Sequence, residues 1–206
     1  TMSPKHVGTW SDYSRQLLLQ STPGVDGLVR NDQSRTLAQA IDLAVFYGSG
    51  TSNQPTGIAA TTGINAPGAF AAALPTFPEL MKFPGAIEAD NANTSPLTYV
   101  INPADAWDLA ATFEDPNGGS RPVYQGNGTG TGTIGGIRTL TSNQITLGDV
   151  FCGSFENVVL GMWGGLDLIV DPYTGSTAGT VRLVSMQSLD VMVRHAESLA
   201  LDNDAA

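Results

Sequence analysis

Two histidines, one cysteine and 19 aspartates and glutamates are the groups in this 206-residue sequence from which a catalytic or metal site would be built. His195-Ala196-Glu197 would put an imidazole and a carboxylate two apart on one strand face. No third donor stands nearby, and zinc sites draw on three or four protein ligands. A solvated strand face at a domain edge is the preferred reading. His6 lies at the far end of the chain with no ligand pattern around it. Cys152, in Val150-Phe151-Cys152-Gly153, excludes an intrachain disulfide and a cysteine-rich zinc site, and it reads as a small buried apolar residue. The glycine-rich stretch 126–136 lacks the Gly-Lys-Ser/Thr that a phosphate loop needs before its helix. A strand-like Ile137-Arg138-Thr139-Leu140 follows it instead, so the stretch is expected to be a flexible loop in a mobile hairpin. No Gly-x-Ser-x-Gly elbow occurs. The carboxylates are scattered, which gives paired-acid chemistry no footing. Trp163, beside Gly164-Gly165, is expected to be a core aromatic and not a ligand platform. No reaction is indicated, and neither a cofactor nor a metal is expected.

The charge pattern narrows the partners. The net charge is −10, with nine lysines and arginines in all and no run of them. A nucleic-acid binder clusters cations to displace phosphate counterions, so sequence-specific binding is not expected. No apolar run approaches the roughly 20 residues of a membrane-spanning helix, and no secretory signal pattern opens the chain. Charged residues make up only 14% of the sequence, against about 25% in an average soluble domain. With 41% hydrophobic residues, the chain fills a core, and the sparse charge fits either a robust globular domain with a neutral surface or a surface that meets copies of itself.

The elements that would position these groups follow from periodicity. Residues 5–13 alternate as a strand, and 15–20 read as a short helix. Thr22-Pro23 offers a cap and first turn for a helix reaching Tyr47. Leu37, Ala40, Ile41, Ala44 and Val45 form its stripe, Leu28 and Val29 extend it backwards, and Gly48-Ser49-Gly50 ends it. Residues 50–73 read as an ordered connector. A second helix is expected over 77–91, kinked or delayed by Pro84, and a third from Asn102-Pro103 to Phe113. Strands are expected at 97–101, 137–141, 150–155, 157–163 and 166–170, with a last extended stretch over 180–201. Asp115-Pro116-Asn117-Gly118-Gly119 and Asp171-Pro172-Tyr173-Thr174-Gly175 are turns. The fold class is α+β, and no internal repeat is present.

Three segments together resemble the phage capsid family, whose members have the Hong Kong 97-like fold. The first is Ser14-Arg15-Gln16-Leu17-Leu18 with the helix 25–47, similar to that family's spine helix and its lead-in. The second is Gly48-Ser49-Gly50-Thr51 with Gln54-Pro55-Thr56-Gly57-Ile58. The third runs from Gly148-Asp149-Val150-Phe151 to Val170, followed by Val191-Met192-Val193-Arg194. The resemblance covers essentially the whole chain, and the second segment is its most specific part.

The resemblance implies a peripheral domain from 1–54 and 166–206 and an axial domain from 55–165. It implies a non-enzymatic head protein that closes pentamers and hexamers into an icosahedral shell around DNA, assembled in the bacterial cytoplasm and carried in the virion. Portal, scaffold and prohead protease are the further partners it suggests. Asp115, Pro116, Asn117 and Gly118 would sit near the capsomer axis, and Asp171, Pro172, Tyr173 and Thr174 near contacts between capsomers. An encapsulin-type compartment shell is the alternative within the fold, and an unrelated α+β hydrolase the alternative outside it. The family's N-terminal arm and extended loop have no counterpart here, so the chain is expected to be a fragment, a processed product or a trimmed form. Residues 180–202 hold no asparagine, so the isopeptide link of some relatives is not expected.

Overall fold

The computed structural model describes residues 2–20, 25–68, 70–71, 74–92, 95–115, 121–128 and 130–202. The elements, in chain order, are β1 (Lys5–Ser14), α1 (Arg15–Gln20), α2 (Val25–Tyr47), α3 (Phe77–Leu80), α4 (Lys82–Ala89), β2 (Thr98–Ile101) and α5 (Pro103–Ala111). They continue with β3 (Tyr124–Gly126), β4 (Thr131–Ile134), β5 (Ile137–Thr141), β6 (Val150–Gly153), β7 (Val158–Asp171), β8 (Thr180–Val193) and β9 (Leu199–Asp202). The chain forms two compact units, Thr1–Ala60 with Leu160–Met192, and Thr61–Val159 with Val193–Ala206. This differs from the division drawn on the sequence, which kept 166–206 with the first lobe. The chain leaves that lobe after Met192 because β9 pairs antiparallel with β6, from Gly153↔Leu199 to Val150↔Asp202.

The first unit is a three-stranded sheet ordered β1-β8-β7, with α2 on one face. β1 pairs antiparallel with β8 from Lys5↔Leu189 to Ser14↔Thr180. On β8, alternate residues Val181, Leu183, Ser185, Gln187, Leu189 and Val191 are buried, the period-two signature of a half-covered strand. The helix is fixed to that face by a buried polar side chain. Gln33 Nε2 donates to Ser11 Oγ at 2.8 Å and to the Leu183 carbonyl at 2.9 Å. Ser185 Oγ donates to Gln33 Oε1 at 2.5 Å. Of the stripe read from sequence, Leu37 is buried and Ala40, Ile41, Ala44 and Val45 are half-buried, whereas Leu28 is 69% exposed. The Thr22-Pro23 cap lies outside the described residues.

The helix exit explains the glycines that follow it. The last carbonyls of a helix have no partner within it. Here the Val45 carbonyl accepts from Ile58 N–H at 2.8 Å and the Phe46 carbonyl from Ala59 N–H at 2.9 Å. Gly57 N–H donates to the Gly48 carbonyl at 2.8 Å, and Gly48 N–H to the Ala44 carbonyl at 3.0 Å. A Cβ on Gly57 would collide with the Gly48 nitrogen, and one on Gly48 with the Pro55 carbonyl. Gln54-Pro55-Thr56-Gly57-Ile58 is thus an extended segment that caps α2.

The second unit is a six-stranded mixed sheet ordered β3-β4-β5-β2-β6-β9. Among the described strands of this sheet β2 and β5 pair in parallel, and the other pairs are antiparallel. Its core gathers Leu80, Phe83, Ile87, Tyr99, Ile101, Leu109, Tyr124, Ile134, Val150 and Cys152. The helix expected over 77–91 is two short helices, broken at Met81. Pro84 has no N–H to give the carbonyl four residues back. That carbonyl, of Leu80, accepts instead from Tyr99 Oη at 2.6 Å. α5 starts as expected, with Asn102 Oδ1 accepting from Ala104 N–H at 2.9 Å, and ends at Ala111 because Thr112 is extended.

The hairpin expected within 126–136 is present, while its arms are paired strands and not a loop throughout. Its ends are strand residues, Gly126 pairing with Gly132 in the β3-β4 hairpin and Ile134 with Ile137 in the next. Gly132 is required there, since a Cβ would run into the ring of Tyr124. The two strands expected at 157–163 and 166–170 are one strand, β7. Gly164, at φ +70, adopts a left-handed conformation within it instead of ending it.

Candidate assembly surfaces

The 171–174 turn is built around one carboxylate. Asp171 Oδ1 accepts from Tyr173 N–H at 2.8 Å and Thr174 N–H at 3.3 Å, and its Oδ2 accepts from Thr174 Oγ1. The Thr174 hydroxyl, then the Tyr173 and Thr174 amides, hold the Asp171 carboxyl below the usual aspartate range. Arg15 Nη2 donates to the Pro172 carbonyl at 3.0 Å, and Arg15 N–H to the Gly179 carbonyl at 2.9 Å, so both ends of the 172–179 connection are tied to α1. The turn presents Tyr173, 83% exposed, on a scaffold that is already ordered.

Asp115 is exposed at the start of the other expected contact turn, in the second unit. A bridge between Phe113 and Pro122 closes the base of that turn, supported by Glu114 N–H donating to the Arg121 carbonyl at 3.0 Å. Arg121 Nε stands 3.3 Å from Glu114 Oε1. Pro116, Asn117 and Gly118 lie outside the described residues.

Two apolar surfaces of the first unit were not singled out from sequence. Residues adjacent to the buried ones on β1 and β8 point away from α2. There Trp10 is 62% exposed, with the Arg182 guanidinium 4.3 Å from its ring centroid. Arg182 makes a forked ion pair with Asp12, Nε to Oδ1 at 2.7 Å and Nη2 to Oδ2 at 2.8 Å. That pair lowers the Asp12 carboxyl below its ordinary range. Met186 and Met192 are exposed further along β8. The second surface is β7, an outer strand of the sheet, where Leu160, Met162, Trp163, Leu166, Ile169 and Val170 are all exposed. Trp163, 38% exposed, is therefore not the core aromatic expected. In the sequence, 158–170 is apolar without strict alternation, a pattern that by itself reads as a strand covered on both faces, so its exposure was not signalled there.

The residues considered for chemistry are dispersed. His195 precedes a 3-10 turn at Ala196–Ser198, so His195 and Glu197 do not share a strand face as the spacing allowed. His6 Nδ1 lies 2.9 Å from Ser188 Oγ on the first unit's sheet. Among the described residues no group of three or more His, Cys, Asp or Glu is placed to hold a metal. Cys152 is fully buried. Asp105, accepting from Gly148 N–H at 2.8 Å, has its carboxyl pushed up by burial, but it serves the α5 first turn.

The first unit is a long helix, capped by its own glycine-rich exit, on a three-stranded sheet, and the second is built on a mixed sheet. Comparison with known proteins gives the family. The pattern of the phage capsid family matches residues 1–202, and the chain belongs to that family. It is 26% identical over 200 residues to the major capsid protein of Halomonas phage phiHAP-1, covering 97% of this chain and 32% of that protein. The chain thus spans about a third of the length of that curated relative. Among solved structures, the capsid of an empty GTA particle superposes with a TM-score of 0.73 at 18% identity, over 98% of this chain and 72% of that one. Gordonia phage Cozz gives 0.73 at 16% identity, over 96% and 69%. The holo-SrpI encapsulin complex of Synechococcus elongatus PCC 7942 gives 0.69 at 15% identity, over 98% and 74%. The fold is the α+β, Hong Kong 97-like capsid fold.

Proposed function

We propose that this chain is the shell-forming part of a phage head protein, whose activity is association with copies of itself. The family match over residues 1–202 carries the reading, and the exposed apolar surface of the first unit supports it. Copies build pentamers and hexamers that close an icosahedral shell around DNA, formed in the bacterial cytoplasm and retained in the virion. Ring closure of this kind needs heterologous contacts, different patches meeting on neighbouring copies. The first unit takes the peripheral role and the second the axial role. The turns at 171–174 and 115–118 take the contacts between capsomers and at the capsomer axis. Portal, scaffold and prohead protease are its further partners. The role is structural and involves no catalysis.

An encapsulin-type compartment shell is the second reading, favoured by the superposition on the encapsulin complex. The two separate in a heterologous host. Particles packed with DNA when the other head genes are present support the phage head. Closed shells that capture a peptide-tagged protein, indifferent to those genes, support the compartment. A chain that stays monomeric in sedimentation and electron microscopy under all assembly conditions overturns both.

A further inference from the structure

We infer that the free edge and exposed faces of β7 form the surface on which a second copy of this chain docks, by strand pairing along Val158–Asp171. The inference rests on the proposed shell function and names the surface that serves it.

β7 is 14 residues long and lies at an end of the order β1-β8-β7. An outer strand presents unpaired N–H and C=O groups to any chain that approaches, and monomeric proteins blunt such edges with charges, above all lysine, or with proline, bulges, shortness or cover. β7 is long, and among the described residues no strand covers its outer edge. Its sequence, Val-Val-Leu-Gly-Met-Trp-Gly-Gly-Leu-Asp-Leu-Ile-Val-Asp, carries no lysine, arginine or proline, and only Asp167 and Asp171 are charged. Leu160, Met162, Trp163, Leu166, Ile169 and Val170 are exposed together on it. The opposite outer strand, β1, behaves differently. It carries Lys5, His6 and Asp12, its side chains alternate between half-buried and exposed, and its Asp12 is neutralised by Arg182. The two outer strands thus differ in charge and pattern, and β7 is the more apolar.

The occupant is a second copy and not a small ligand, because the surface is long and open. Trp and Met are enriched where protein partners meet, and lysine and glutamate, absent from β7, are depleted there. Membership of a family of capsid proteins supplies the identity of that partner. Gly164, left-handed at φ +70, sits mid-strand with Gly165 beside it, and a Cβ at either would meet nothing within 4 Å. The space over the middle of the strand is therefore open for a neighbouring backbone to approach closely.

Hydrogen exchange on the whole chain, at concentrations below and above the onset of association, reads the edge directly. Sedimentation velocity on wild type, Leu166→Glu/Ile169→Glu and the single variant Met162→Lys runs beside it. Circular dichroism monitors folding. The expected result is new protection of 158–171 amides on association, with the onset moved up at least about thirtyfold in the double variant, the effect of one hot-spot residue or more. If wild type associates while those amides exchange as before and both variants associate normally, the inference is overturned and the shell function stands. If wild type never associates, the shell function and this inference fall together. Should the double variant unfold, Met162→Lys and the wild-type exchange data still decide the matter.

Discussion

The phenol of Tyr99 donates at 2.6 Å to the carbonyl of Leu80, the group that Pro84 leaves without a helical partner. Tyr99 is fully buried, its ring 6.3 Å edge-on from that of Phe83 within the second unit's core. Burial pushes its hydroxyl far above the ordinary tyrosine range, so it stays protonated and remains a donor at any working pH. Tyr99→Phe keeps the ring and strands a buried carbonyl. The expected loss is about 1–3 kcal/mol of unfolding free energy, measured by urea melts. A double variant that also restores the helical N–H, Pro84→Ala with Tyr99→Phe, should recover part of it.

The same pair shows what sequence reasoning reaches and where it stops. Pro84 announced a disturbance of the 77–91 helix, but not that the break would be sealed by a tyrosine 15 residues on (84 to 99), because that partner is chosen in three dimensions. The long helix, its glycine-rich exit and the strand at 5–13 were legible, since each is written in local periodicity and turn chemistry. Gln33 was not, because a lone polar residue on a helix gives no sign that it will be buried between Ser11 and Ser185. At 126–136 the hairpin was legible, but not how far strand pairing would extend into the glycine-rich run. The turn at 171–174 was legible from its residues, whereas the exposure of the apolar run 158–170 depends on the place of β7 at a sheet edge, which local sequence does not carry.

Gly57 tests the capping of the spine helix. A methyl group there would meet the Gly48 nitrogen and stand 2.9 Å from the Phe46 carbonyl, both main-chain atoms that cannot rotate away. Gly57→Ala should therefore cost about 1–3 kcal/mol and loosen the bonds from Ile58 and Ala59 to the helix end. Faster amide exchange at Ile58 and Ala59 than in wild type would be the local sign. Gly85→Ala is the control, since a Cβ there meets nothing within 4 Å. It should leave stability within about 1 kcal/mol, or raise it slightly through helix propensity.

Cys152 should be inert while the chain is folded. Burial pushes its thiol up to about 12, and a thiol in that state offers almost no thiolate at neutral pH. A disulfide-exchange reagent should therefore label the native protein no faster than the second unit unfolds. Labelling should become immediate in denaturant. Rapid labelling of native protein would place Cys152 at the surface and contradict the sheet register that pairs it with Tyr99 and Ala200.

Acid should weaken the fold through carboxylates spread over both units. Glu79 accepts from Thr76 N–H at 2.8 Å, Thr76 Oγ1 at 2.7 Å and Ala71 N–H at 3.0 Å, and these bonds, the Thr76 amide first, lower its pKa. Burial pulls Asp190 upward, but the Ser3 and Val191 amides and Lys5, 3.3 Å away, outweigh it and leave its pKa lowered. Asp12 and Asp171 are lowered as well. A carboxyl whose folded pKa lies below its unfolded value stabilises the fold fully above the unfolded value. That contribution disappears as pH falls through the folded one. Stability should thus fall once pH drops below the ordinary values, 4.5 for Glu79 and 3.8 for the aspartates. Asp105 acts in the opposite sense, its raised pKa favouring the fold when protonated, against the four lowered carboxyls named above. Urea melts between about pH 3 and pH 7 should show the decline, and Glu79→Gln should flatten it while lowering stability at neutral pH. A wild-type profile that rises toward acid would mean that Asp105 dominates, and Asp105→Asn would then abolish the rise.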